Sequence, residues 1–234
     1  MNVLKKIKDY LIQNRCRQNE IYWGLVFNNA ISDSYWLKNK SFSPGRWAAG
    51  YPLLYILFRI YNDVKPKSVL EFGLGESTKL LAQYKKHYPD VHFTVVEQDC
   101  NWLEFFCNEI YDIKQYSKIV EIEKKQIHGK ESYYYKGVLN QISGMKYDFI
   151  VVDGPWGSDS FSRYQVVEIA RNNLIADNFI IIVDDYERDG EKQTVQELRK
   201  VLKGKGIEFK ESVYSGDKDS LLICSAKYSF LTSL

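Results

Sequence analysis

Acidic residues recur in this chain where short apolar runs end. Glu71 lies in VLEFGLGEST, Glu97 in HFTVVEQD, Asp153 in YDFIVVDG, and Asp184 with Asp185 in FIIIVDDY. Runs of that composition read as buried strands, which places the acids at strand ends. Carboxylates gathered there can accept hydrogen bonds from a ligand, take up a proton, or hold a hard cation through oxygen. Between Glu71 and the helix-like ESTKLLAQYKKHY stand Gly73 and Gly75, the spacing of a tight turn that lets a ligand approach the backbone.

Three ligands compete for that turn. A nucleotide triphosphate loop needs G-x-x-x-x-G-K-[ST], and GLGESTK lacks the spacing. A dinucleotide fingerprint needs a third glycine, and that position is Thr78, whose Cβ would crowd the helix against the strand. Charge decides the matter. Glu71 and Glu76 beside a pyrophosphate would be repulsive, by roughly a few kcal/mol at an effective dielectric of about 20. S-adenosylmethionine (SAM) has no phosphate and carries a sulfonium and an ammonium, which suit two acids. Glu97, followed by Gln98, then falls where an acid accepts hydrogen bonds from ribose hydroxyls. Asp153 points into the same crevice.

These residues need a sheet to position them. From Lys67 onward, β-branched runs alternate with helical stretches: KSVLEFG, VHFTVVEQD, KIVEIEKKQ, YDFIVVDG and NFIIIVDDY read as five strands. The pattern predicts an α/β, doubly wound, Rossmann-like sheet, mostly parallel, with helices on both faces. IEFKESVYSG and DSLLICSAK are separated only by a short turn, which predicts an antiparallel hairpin at the C-terminus. Residues 1–62 read as a helical extension or lid, and 63–234 as the SAM-binding domain.

With these pieces in place, residues 65–227 resemble the class I SAM-dependent methyltransferases, on LEFGLGEST, VVEQD, YDFIVVDGPWG and the final hairpin. The resemblance implies that Glu71, Gly73 and Gly75 form the cofactor turn and that Ser77 and Thr78 stand beside the methionine moiety. It implies Glu97 as the ribose ligand, and the stretch Gln126 to His128 beside the adenine. Asp153 with Asp184-Asp185 is similar to the metal sites of catechol-type and macrolide-sugar-type O-methyltransferases, which implies Mg²⁺ or another divalent cation on Asp153, Asp184 and Asp185. The VDGP after the fourth strand is also similar to plant glucuronic-acid-type polysaccharide O-methyltransferases. Both comparisons imply a sugar, glycan or other small hydroxyl acceptor. Asp153, Asp184 and His128 are the candidate catalytic residues, His128 as a base on a loop. Trp156 and SYYYKG offer faces for stacking, and Arg46 a fork for a carboxylate.

Composition narrows the alternatives. Lys and Arg number 32 against 30 Asp and Glu, a net charge of +2, which gives no reason to expect nucleic acid. The four cysteines form no C-x-x-C pair and no metal spacing with the three histidines, so zinc is set aside and the thiols read as reduced. MNVLKKIKDYLIQNRCRQ reads as a short helix packed on the domain rather than one on a membrane surface. The apolar run YPLLYILFRIY is interrupted by Arg59 and too short to span a bilayer. The chain reads as cytoplasmic. Two other functions stay open: a non-catalytic SAM-binding module serving as partner or regulatory subunit, and an NAD-dependent sugar-modifying enzyme, disfavoured by Thr78 and Glu71.

Overall fold

The computed structural model describes residues 3–45, 47–110 and 112–234. Arg46, considered above as a carboxylate partner, lies outside them. Among the described residues the strands are β1 (Ser68–Phe72), β2 (His92–Glu97), β3 (Ser117–Ile119), β4 (Ile122–Ile127), β5 (Lys130–Tyr135), β6 (Tyr147–Val152), β7 (Ile175–Val183), β8 (Phe209–Ser215) and β9 (Asp219–Ser225). The helices are α1 (Val3–Ile31), α2 (Tyr51–Arg59), α3 (Glu76–His87), α4 (Cys100–Cys107), α5 (Ile113–Tyr116), α6 (Val138–Ile142), α7 (Gln165–Arg171) and α8 (Asp189–Gly204).

Seven strands form one sheet in the order β3-β2-β1-β6-β7-β9-β8. All neighbours from β3 to β7 pair in parallel, while β9 runs antiparallel to both β7 and β8. The expected doubly wound sheet with a C-terminal hairpin is therefore what forms. The strands are apolar throughout because alternate side chains feed two cores. Val69, Val95, Phe149, Ile180 and Leu222 pack on one face with α2, α3 and α4. Leu70, Val96, Ile150, Ile181 and Ile223 pack on the other with α6, α7 and α8. Each such buried side chain contributes about 1.5–3 kcal/mol of transfer free energy.

Two expectations need correction. KIVEIEKKQ is not one strand: Ser117–Ile119 joins the sheet, and Ile122–Ile127 leaves it to pair antiparallel with β5 as a separate hairpin. The charged residues of IEKKQ could not fill a buried strand, so the chain turns out of the sheet after Val120. Across the expected boundary at residue 62, the helical extension and the sheet share one core. Leu53, Leu54, Ile56, Leu57 and Ile60 are fully buried in the same cluster as Val69 and Phe149. Finally, the N-terminal segment is longer than a short packed helix, and residues 3–15 of α1 are all exposed. Its C-terminal half is what docks. Glu20 accepts from the Tyr51 and Asp217 amides at 2.6 and 2.9 Å, and the Trp23 indole donates to the Ser215 carbonyl at 3.1 Å. Among the described residues no helix is long and apolar enough to cross a membrane.

Candidate active site

Parallel strands end together, so the sheet delivers its terminal residues to one edge. The ladder continues just past the strands: Gly73 donates to the Val96 carbonyl, Asp153 to Phe72 and Asp184 to Val152, at 2.9, 2.9 and 3.1 Å. Because β9 is antiparallel, its beginning lies at this same edge, which brings Lys218 and Ser220 there too.

The glycine turn is built by close backbone approach. Gly73 has φ +92°, and a Cβ there would stand 2.8 Å from the Asp153 carbonyl oxygen. A Cβ on Gly154 would meet Gly73 N at 2.9 Å, so the ends of β1 and β6 touch main chain to main chain. Gly75 is different: its extended backbone suits any residue, and a Cβ there would meet nothing within 4 Å. The turn is pinned from outside by Glu97, whose carboxylate accepts from the Leu74, Gln98 and Asp99 amides at 2.9, 2.8 and 2.9 Å. The Trp102 indole donates to the Leu74 carbonyl at 2.7 Å. Burial raises Glu97 from its ordinary carboxylate value, and the three amides oppose that.

Glu71 is 1% exposed and accepts from the Ser77 hydroxyl at 2.5 Å, while its Oε2 has no hydrogen-bond partner. Burial pushes its carboxyl up to about 8, against the pull of the Ser77 and Thr78 hydroxyls. Thr78, in place of a third glycine, is buried and its hydroxyl accepts from the Gly75 N–H at 3.0 Å. Glu76 pairs with Lys79 at 2.8 Å and accepts from the Ser43 amide at 3.0 Å. An orphaned buried carboxyl oxygen beside an unobstructed glycine fits a ligand that brings positive charge and an adenosine-like body to the turn.

At the other side of the turn, Asp153, Asp184 and Asp185 converge, their ligand-capable oxygens lying within 4.8 Å of one another. Two cations stand among them. Arg163, 4% exposed, places Nη2 at 2.7 Å from Asp185 Oδ2 and 3.2 Å from Asp153 Oδ1, and donates to the Asp184 carbonyl at 2.9 Å. Lys218 Nζ lies 2.8 Å from Asp184 Oδ2 and 3.5 Å from Asp185 Oδ1. Asp184 also accepts from Ser220 at 2.7 Å, and Arg188 reaches Asp185 at 3.0 Å. Burial would raise Asp185, but Arg163, Lys218 and Arg188 hold it below the usual value. Burial and the facing Asp184 push Asp153 the other way, upward. The donor set therefore does not fit a bare divalent ion: its oxygens already face an ammonium and a guanidinium. Glu191 completes the set of charges: it is fully buried, with Arg163 Nε at 3.7 Å.

The other candidates fall outside this cluster. His128 is a correction: it sits at the exposed tip of the β4–β5 hairpin, against Phe161, with Glu197 Oε2 at 3.6 Å. The hairpin lies outside the sheet, so its tip packs towards α8 instead of reaching the strand ends. Gln126, paired with Glu131 on that hairpin, is likewise exposed. Tyr135 is the hairpin residue that does reach the β2 end, donating to Gln98 Oε1 at 2.9 Å. Trp156 is 60% exposed with Tyr133 edge-on at 5.8 Å. The NAD-dependent sugar-modifying reading requires a Tyr-x-x-x-Lys pair, and that spacing occurs twice, at Tyr61–Lys65 and Tyr214–Lys218. Tyr61 is buried in the core, and the Tyr214 hydroxyl donates to the Leu231 carbonyl, so neither tyrosine joins the cluster.

Sequence reasoning passed over Arg163, Lys218, Glu191 and Trp102, and took Tyr135 only as one of the SYYYKG stacking faces. A signal existed for one: Lys218 is in the turn opening a strand predicted to lie beside the fifth, so its placement near Asp184 followed from the antiparallel hairpin.

No family model and no curated protein matches the sequence. Among solved structures, the chain is similar to the O-methyltransferase TomG from Streptomyces achromogenes, involved in tomaymycin synthesis, in complex with SAM. The identity is 14% and the TM-score 0.56, over 92% of this chain and 99% of that one. It is also similar to the SAH-bound Podospora anserina methyltransferase PaMTH1, at 15% identity and a TM-score of 0.47 over 96% and 97% of the two chains. A third, the O-methyltransferase from Bacillus cereus in complex with SAH, gives 13% and 0.44 over 89% and 91%. The fold comparison rests on the first alone. The chain has the Rossmann-like fold found in SAM-dependent methyltransferases.

Proposed function

We propose that this chain is a SAM-dependent methyltransferase that methylates the hydroxyl of a small or glycan-type acceptor. The observation that carries the reading is the buried Glu71, with one carboxyl oxygen unpartnered, beside the Gly73–Gly75 turn at the edge of a methyltransferase-type sheet. A neutral or anionic ligand would leave that buried oxygen without its counter-charge, whereas a cationic one supplies it.

When bound, SAM supplies an electrophilic methyl group on a positively charged sulfur. Glu71 faces the cationic end, and Glu97 stands at the β2 end for the ribose, with Gln98 held by Tyr135. Ser77 and Thr78 position the turn through the Glu71 and Gly75 contacts already described. Asp153 is the group to accept the acceptor's hydroxyl proton. It is the most exposed aspartate of the cluster, with 19% of its side chain accessible against 1% for Asp184 and 4% for Asp185. Its raised pKa brings it nearer to that of a working base. Its carbonyl touches Gly73, so base and cofactor turn are one backbone contact apart. Asp184, bonded to Lys218 and Ser220, positions rather than reacts. The exposed Trp156 and Tyr133 are faces on which a sugar or ring acceptor can stack.

Methyl transfer from labelled SAM to panels of sugars, nucleotides and phenols tests this, with Asp153→Asn alongside the wild type. Label transferred by the wild type and lost in Asp153→Asn agrees with the reading. SAM binding without transfer to any panel favours the alternative, a non-catalytic SAM-binding module.

A further inference from the structure

The aspartate cluster contains its own cations, and their placement has a consequence for the ion such a cluster invites. Each of the three carboxylates already has a cationic partner: Asp184 has Lys218, Asp153 has Arg163, and Asp185 has both. Arg163 is fixed from behind as well as in front, because its guanidinium also donates to the Asp184 carbonyl at 2.9 Å and contacts Pro155 O at 3.4 Å. It is 4% exposed. Lys218 is held between Asp184 Oδ2 and Asp185 Oδ1, and 13% of its side chain is accessible.

A divalent ion bound through oxygen needs ligands at about 2.0–2.6 Å. An ion meeting Asp184 and Asp185 at that range would stand where the Lys218 ammonium now stands. It would also face the Arg163 charge at close quarters, in a buried site where water screens little. The positive charge that a metal would bring is thus already supplied by the chain, on a residue that opens β9 at the sheet edge. We propose that Lys218, with Arg163 seated behind it, fills the cation place of this cluster, so that the cluster takes no divalent ion. Lys218, with 13% of its side chain accessible, and Arg188, with 40%, are then the cluster's cations that reach solvent. The functional meaning of this arrangement rests on the methyltransfer reading, but metal occupancy is measured without cofactor or acceptor, so the two can fail separately.

The test is titration of the full-length protein with Mn²⁺, followed by the electron paramagnetic resonance signal of the free ion. Wild-type protein is expected to leave millimolar Mn²⁺ free. Lys218→Ala is expected to gain a site for about one Mn²⁺ per chain, at least about tenfold tighter than any wild-type binding. That site should disappear in Lys218→Ala/Asp184→Asn, and Lys218→Arg should not create it. A rise in the Lys218→Ala melting temperature with Mn²⁺, absent from the wild type, is the expected companion result. Stoichiometric Mn²⁺ on the wild type that Asp184→Asn removes would overturn the proposal. So would a folded Lys218→Ala that gains no site. If Lys218→Ala does not fold, the wild-type titration decides by itself: free Mn²⁺ supports the proposal and cluster-bound Mn²⁺ refutes it.

Discussion

Glu71 makes a quantitative demand on how the protein responds to pH. Its carboxyl, ordinarily near 4.5, is pushed up to about 8 by burial, so the folded protein without ligand holds a proton there near neutrality. The unfolded chain releases that proton near the ordinary value. The native state therefore binds more protons than the unfolded state across this window, and stability falls as pH rises from 4.5 to about 8. At about 1.4 kcal/mol per pH unit, the full span is worth up to roughly 5 kcal/mol. Glu71→Gln removes the titrating group, so the stability gap between variant and wild type should widen in the variant's favour over that range. Chemical denaturation at several pH values reads this directly. A cationic ligand reverses the preference by stabilising the anion, so SAM binding should expel the proton. Affinity should then rise by up to about tenfold per pH unit below the pKa and level off above it. Calorimetry in two buffers of different ionisation enthalpy should count close to one proton released below neutrality in the wild type, and none from Glu71→Gln. Parallel stability profiles for the two proteins, together with no proton release, would refute the reasoning.

Other substitutions probe the remaining parts of the site. Arg163→Met takes the cation from buried Glu191 and from Asp153, leaves Asp185 only Lys218 and Arg188, and should destabilise by about 3–5 kcal/mol in urea unfolding; Arg163→Lys should recover little, lacking the planar fork. Gly73→Ala sets a Cβ 2.8 Å from the Asp153 carbonyl at φ +92° and should cost at least about 1–3 kcal/mol of stability. Glu97→Ala removes the acceptor of three backbone amides; it should weaken SAM binding by about 1–3 kcal/mol and lower the melting temperature, both measurable on the purified variant. His128→Ala, at an exposed hairpin tip, should leave methyl transfer within about twofold of wild type, since surface changes cost at most ~0.5 kcal/mol.

Much of the fold was written in local patterns. Val69–Phe72, His92–Glu97, Tyr147–Val152 and Ile175–Val183 are apolar on both faces because helices cover both, and such runs announce parallel strands. The acids that end them were legible for the same reason, and the short turn before Asp219 fixed the direction of β9. What stayed hidden depended on contacts distant in sequence. Arg163, at φ +57° in a turn, looks like an ordinary solvated cation until the sheet sets it against Asp185, whereas Lys218 could have been placed near Asp184 from the hairpin alone. The metal expectation arose from reading three carboxylates without their counterions. His128 was misplaced because KIVEIEKKQ has strand composition throughout, and nothing in it marks where the chain leaves the sheet. Which half of α1 docks was hidden in the same way, since the Glu20 and Trp23 contacts join it to residues almost 200 positions away.

The central claim is that the glycine turn and its acids are built for a cationic adenosine-bearing ligand. Calorimetry of the wild-type protein with SAM, with its demethylated product SAH and with NAD tests it most directly. Saturable binding of SAM and SAH at one site per chain is expected, weaker for both in Glu97→Ala, with no binding of NAD. Binding of NAD with none of SAM or SAH would contradict it.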